Sequence, residues 1–173
     1  MGLFLAVISL PSPAVAQTRP APSPYQKLPA DTVIHLIRQV TQELRRKHPG
    51  FYRYHSQATF AAYIDSVKTS IKDSLTVLEA FRKMKPIISR VGCLHTDLGL
   101  SKEQAAYLNQ GANLFPLQLY FIDDKVFVKA NYSTDKTIAA GDELLSINGK
   151  PLAEIVRQLL PGIPSDGYNQ TMK

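Results

Sequence analysis

Cysteine is nearly absent. Cys93 is the single thiol in 173 residues, which excludes an intramolecular disulfide. It stands beside Gly92 and near His95 with no fixed cation next to it, so a buried structural role is expected rather than a reactive thiol. Zinc spacing is also missing. Neither His-x-x-x-His nor His-Glu-x-x-His occurs, and the four histidines are scattered, so no metal is expected. There is no phosphate-cradling glycine loop and no dinucleotide glycine pattern, so no cofactor is expected either. No internal repeat is present. The longest apolar run at the front, Leu3 to Leu10, is too short to span a bilayer. A dense basic stripe is lacking too. Net charge is +6, from 20 Lys+Arg against 14 Asp+Glu. The clusters Arg45-Arg46-Lys47 and Arg82-Lys83-Lys85 fall on helical patterns, where a solvated face accounts for them, so nucleic acid is not an expected partner.

What remains is an ordinary globular composition, 45% apolar and 20% charged, enough for one domain or two small ones. Residues 1–16 read as a signal peptide: LFLAVISL followed by Ala14-Val15-Ala16, a small-x-small cleavage pattern before Gln17. Met1-Gly2 departs from that pattern, because no Lys or Arg precedes the apolar run. No cysteine follows the run, so a lipid anchor is not expected. The reading places the protein outside the cytoplasm, in the periplasm or cell envelope, with no membrane span in the mature chain. Residues 17–30, with Pro20, Pro22, Pro24 and Pro29, read as an extended Pro-rich linker that builds no core.

Residues 31–112 read as a small helical bundle. Asp31 is an N-cap candidate, and Val33, Ile37, Val40 and Leu44 recur at spacings of four, three and four. His48-Pro49-Gly50 stops that helix, and a histidine there would suit the helix C-terminus. Phe51 to Tyr54 is an aromatic connector. Ser56 caps a second helix carrying Phe60, Ile64, Val67 and Ile71. Thr76 and Glu79 form a capping-box pattern for a third, which Pro86 is expected to kink or break near Lys85. Ser101 and Gln104 open a fourth, with Gly111 as its C-cap. His35, His48 and His55 read as structural.

From Leu114 the period changes to two. Leu117, Leu119 and Phe121 alternate with Gln118 and Tyr120, Asp123-Asp124-Lys125 makes a hairpin turn, and Val126, Val128 and Ala130 alternate on the return. Then comes AAGDELLSINGKPL, Ala139 to Leu152. Gly141-Asp142 turns the chain into a short, mostly buried strand from Glu143 to Ile147. Asn148-Gly149 makes a tight turn, since both residues tolerate positive φ. Pro151 then opens a helix whose apolar face is Leu152, Ile155, Val156 and Leu159. The fold class is therefore α+β: a small N-terminal helical bundle, then a β-domain with a flanking helix over 113–173.

The stretch AAGDELLSINGKPL resembles the G-D-x-(I/L)-(I/L)-x-(I/V)-N-G signature of PDZ domains, which bind peptide C-termini. Taken with HPGFYRY, VGCLHTDL and FPLQLYF, and with the order signal, helices, PDZ-like module, the chain resembles the N-terminal region of a tail-specific, C-terminal processing serine peptidase of the tricorn-like branch. That resemblance implies an exported endopeptidase that recognises substrate C-termini, whose partners are peptide or protein C-termini and a downstream catalytic domain. It also implies that the PDZ-like part is incomplete at its C-terminal end. Ala153 to Lys173 hold no strand-turn-Ser pattern, and Ser165 lies in a Pro/Gly turn, so this chain alone is expected to be inactive. His95 is the catalytic candidate, because Gly92-Cys93-Leu94-His95-Thr96 is similar to the family's Gly-x-x-His motif. The alternative for His95 is a helix-end residue satisfied by a backbone carbonyl. Phe115, Pro116, Leu117 and Gln118 fall where the resemblance places a carboxylate-binding loop before an edge strand, although Pro116 removes one donor. A proline-fixed entry into a core strand is the other reading. The rival function is a stand-alone PDZ adaptor that recruits C-termini without catalysis.

Overall fold

Pro24 is wholly buried, so the fold begins inside the stretch that reads as a linker. The structure is a computed structural model and describes residues 23–109, 114–123 and 125–169. The signal-like segment 1–16, Gly111 and Asp124 lie outside the described residues. Strand β1 (Lys27–Leu28) pairs antiparallel with β2 (Leu75–Thr76). The carbonyls of Pro24 and Gln26 accept the N–H groups of Leu78 and Val77, both at 3.0 Å. Those are among the first N–H groups of the third helix, which no intrahelical carbonyl can reach. A proline segment has carbonyls but few N–H groups of its own to satisfy, which suits it to this task. The linker reading of 17–30 therefore fails for 24–28.

Helix α1 (Ala30–Lys47) buries Val33, Ile37 and Thr41. Its N-cap is Pro29. Asp31 lies inside the first turn, where its charge favours the helix N-terminus rather than capping it. Thr41 Oγ1 donates to the Ile37 carbonyl at 2.7 Å, so its burial leaves no orphan group. His48 follows as C-cap, with its N–H on the Leu44 carbonyl. Its Nδ1 accepts the Gly50 N–H at 3.2 Å, so the ring organises the turn after the helix rather than facing the helix end as a cation.

Helix α2 (Gln57–Thr69) starts at Ser56, whose hydroxyl accepts the Thr59 N–H. Helix α3 (Val77–Ser89) starts with both halves of the capping box between Thr76 and Glu79. Pro86 does not break it. The helix runs on to Ser89, where Ile87, Ile88 and Ser89 are buried. A proline costs about 3 kcal/mol inside a helix, and two fully buried isoleucines supply about as much. The core gathers Val33, Ile37, Phe51, Phe60, Ile71, Met84, Ile87 and Val91. Phe51 stacks at a tilt on Phe60, ring centroids 4.7 Å apart. Helix α4 (Lys102–Asn109) is opened by Ser101 and Gln104, each side chain accepting the other's backbone N–H, and it buries nothing.

The second half is built on an antiparallel hairpin, β3 (Leu117–Ile122) and β4 (Lys125–Asn131), with a bulge between Gln118 and Leu119. Asp123 turns it at φ 47°. Val126 and Val128 are buried. Residues 141–144 lie along the other side of β4: Val128 N–H donates to the Asp142 carbonyl, and Leu144 N–H to the Val126 carbonyl at 2.7 Å. The buried strand expected over Glu143–Ile147 is reduced. Only β5 (Ser146–Ile147) is paired as a strand, with β6 (Lys150–Pro151), around Asn148 and Gly149 at φ 50° and 76°. Leu145 is 71% exposed. Helix α5 (Leu152–Leu159) and a 3₁₀ turn (Leu160–Gly162) follow. The architecture is α+β.

Two hydrogen bonds cross the expected boundary near 113. Ser89 Oγ donates to the Gly162 carbonyl at 2.9 Å, and Gly167 N–H donates to the Gly92 carbonyl at 3.0 Å. Residues 160–169 thus dock on the end of α3. No helix among the described residues is long and apolar enough to cross a membrane.

Candidate functional site

The hairpin and α5 enclose an apolar groove of about 630 Å³. Phe121 forms one wall, Leu144 and Leu145 the floor, and Val156 with Leu159 the other wall. The wall residues on α5 follow from sequence: Leu152, Val156 and Leu159 share one face at helical spacing. Leu152 is buried and anchors the helix, whereas Leu159 is 61% exposed. Lys125 and Glu143 pair at 3.1 Å at the rim, with Arg157 beside them.

The β3 strand adds a second feature. It pairs with β4 on one side, and among the described residues its other edge pairs with nothing. A strand with a free row of N–H and C=O groups accepts an added strand, and an apolar groove beside it accepts that strand's side chains. Leu114, Phe115, Phe121 and Ile122 are all exposed along this strand and its approach.

The four residues expected to bind a carboxylate take different places. Phe115 and Pro116 precede β3 and are exposed, and the Pro116 carbonyl accepts the Tyr132 N–H at 2.8 Å. Leu117 and Gln118 sit opposite Asn131 and Ala130 in the hairpin ladder. None of the four lines the groove; β3 reaches it through Phe121 instead. The packing of α5, which the sequence does not show, decides which residues of β3 line the groove.

His95 is exposed in the irregular stretch after α3 and makes no hydrogen bond or ion pair among the described residues. It is therefore not the carbonyl-satisfied helix-end residue that was the alternative. Among the described residues no serine hydrogen-bonds to it. Asp97, two residues on, is held by Lys85 Nζ at 2.6 Å. A lysine does reach a serine hydroxyl: Lys83 Nζ donates to Ser70 Oγ at 2.9 Å. That hydroxyl gives its own proton to the Val67 carbonyl at 2.7 Å. A general base would have to accept the hydroxyl proton, so this contact clasps α2 to α3 and does not activate a nucleophile. Among the described residues no cluster of three His, Cys, Asp or Glu could hold a metal. Cys93 is half-buried against the helical core.

No protein-family profile, no characterised protein and no solved structure matches this chain.

Proposed function

We propose that this chain is the peptide-binding N-terminal portion of an exported serine endopeptidase of the tail-specific family, with a PDZ-like second half that holds substrate C-termini. The observation that carries the reading is the open edge of β3 running into the apolar groove walled by Phe121 and Val156. A peptide pairs along β3 and sets alternate side chains into the groove. The tight turn at Asn148-Gly149 between β5 and β6, followed by α5, supports the reading, because it holds the helix wall at a fixed distance from the hairpin. Cleavage belongs to a catalytic domain outside this chain. The described residues offer no activated serine, and His95 stands open to meet a serine supplied from elsewhere.

Calorimetric titration with a peptide ending in a free apolar carboxylate tests the reading. Binding is expected, with loss on C-terminal amidation and on Val156→Glu, and no cleavage product by mass spectrometry. Equal behaviour of acid and amide would overturn it. The isolation of His95 from any serine equally favours an adaptor that recruits C-termini without catalysis. The intact mass of the native protein separates the two. A mass well above 19.2 kDa supports the peptidase, and a mass at or below it supports the adaptor.

A further inference from the structure

A second cavity lies on the far side of the 3₁₀ turn, where residues 161–168 meet the end of α3. It holds about 230 Å³ and is lined by Tyr54, His55, Tyr63, Arg90, Ser165 and Tyr168, with Pro86, Ser89 and backbone around them. No carboxylate is among its lining residues. Arg90 is the C-cap of α3, and its guanidinium lies over the Tyr63 ring, 4.6 Å from the centroid. Its Nε is buried with no hydrogen-bond partner. Its side chain takes no ion pair among the described residues. A buried Nε–H beside half-buried tyrosine rings is costly, because it gives up water and receives no acceptor in return.

The neighbours report the same uncompensated charge. His55 is held below the usual histidine range, first by burial and then by the Arg90 charge. Burial pushes the Tyr63 phenol up, and Arg90 pulls it partly back. A further cation, Arg53, lies over the Tyr54 ring at 6.0 Å. Ser165 is 4% exposed, and its hydroxyl reaches only the Gly167 carbonyl, at 3.4 Å. A buried unpaired donor, a loosely held hydroxyl and the half-buried rings of Tyr54 and Tyr63 thus line one space, with the largely exposed Tyr168 beside them. The backbone is shaped for this closeness. Gly92 and Gly167 both have positive φ, and a Cβ on Gly167 would stand 2.5 Å from the Tyr54 ring.

The geometry points to a small-oxyanion site: Arg90 receives the carboxylate or phosphate group of a small ligand in this cavity, with Ser165 as a second donor and the tyrosines against its apolar part. Guanidinium matches both oxyanions with two parallel hydrogen bonds. The site does not depend on the peptide reading, since it uses no residue of the β3 groove.

Nuclear magnetic resonance of the whole chain, watching the Arg90 Nε–H, tests it with benzoate and inorganic phosphate as probes. A saturating shift of that resonance with either probe is expected, and which probe acts tells a carboxylate from a phosphate. Arg90→Gln should weaken binding by about tenfold or more, and Arg90→Lys should weaken it less, because it keeps the charge and loses the fork. An apolar free-acid peptide that fills the groove should not compete. No shift with either probe up to about 10 mM, a range that still detects very weak sites, would overturn the proposal. So would binding unchanged in Arg90→Gln. If Arg90→Gln does not fold, the Nε–H response of the unaltered chain decides.

Discussion

Phe60 and Phe121 are the same side chain in two settings, 1% exposed in the helical half and 59% exposed on β3. The helical half closes on itself. Helices α1, α2 and α3 turn their apolar stripes toward one another, with Phe51 and Ile71 filling the connections. The second half cannot close. Its sheets have two strands each, and its helix spans eight residues. Such pieces bury little by themselves, so Phe121, Leu145 and Leu159 stay open. The difference separates a region shaped for stability from one that keeps apolar surface for something else to cover.

Five substitutions break or sharpen this contrast. The largest effect belongs to Phe60→Ala, which should cost about 3–5 kcal/mol in denaturant unfolding, whereas Phe121→Ala should cost under about 1 kcal/mol and abolish peptide binding. Equal costs would erase the distinction between the halves. Next is Gly167→Ala. Its φ of 63° and the 2.5 Å approach to Tyr54 leave no room for a methyl, and strain of about 1–3 kcal/mol is expected. Hydrogen exchange should then rise over residues 160–169 while the α1–α3 core keeps its protection. Thr76→Ala removes the cap of α3 and should cost about 1 kcal/mol, read as a lowered unfolding midpoint.

The smallest effect is a pH slope. His55 has its pKa lowered from 6.5 by burial and then by Arg90. Below 6.5 the unfolded chain therefore binds more protons than the folded one, and stability falls as pH falls through that value. His55→Gln should flatten this part of the profile. An unchanged slope would assign the acid sensitivity to other groups.

Local chemistry was legible in the sequence wherever one residue acts on its neighbours. The Ser56 and Thr76–Glu79 caps, the apolar stripe of α1, and the Asn148-Gly149 turn are all where the spacing puts them. What stayed hidden depends on distant partners. Pro24 reads as linker because its burial requires the first turn of α3, far along the chain. Pro86 reads as a kink or a break because the buried Ile87 and Ile88 that hold the helix together gain their energy from other helices. Leu145 reads as buried because a strand of leucines usually is, and only the open groove leaves it exposed. Phe121 and Val156 were visible as apolar residues, but their lining one groove was not. Arg90 carried no sequence signal at all, since a lone arginine near a helix end is common and only its lack of an acceptor marks it.

The most direct test of the contrast is amide hydrogen exchange of the whole chain with and without a peptide bearing a free apolar C-terminus. The account predicts new protection along β3 and slower exchange in α5, with the α1–α3 core unchanged. Protection confined to the helical half, or none along β3, would contradict it.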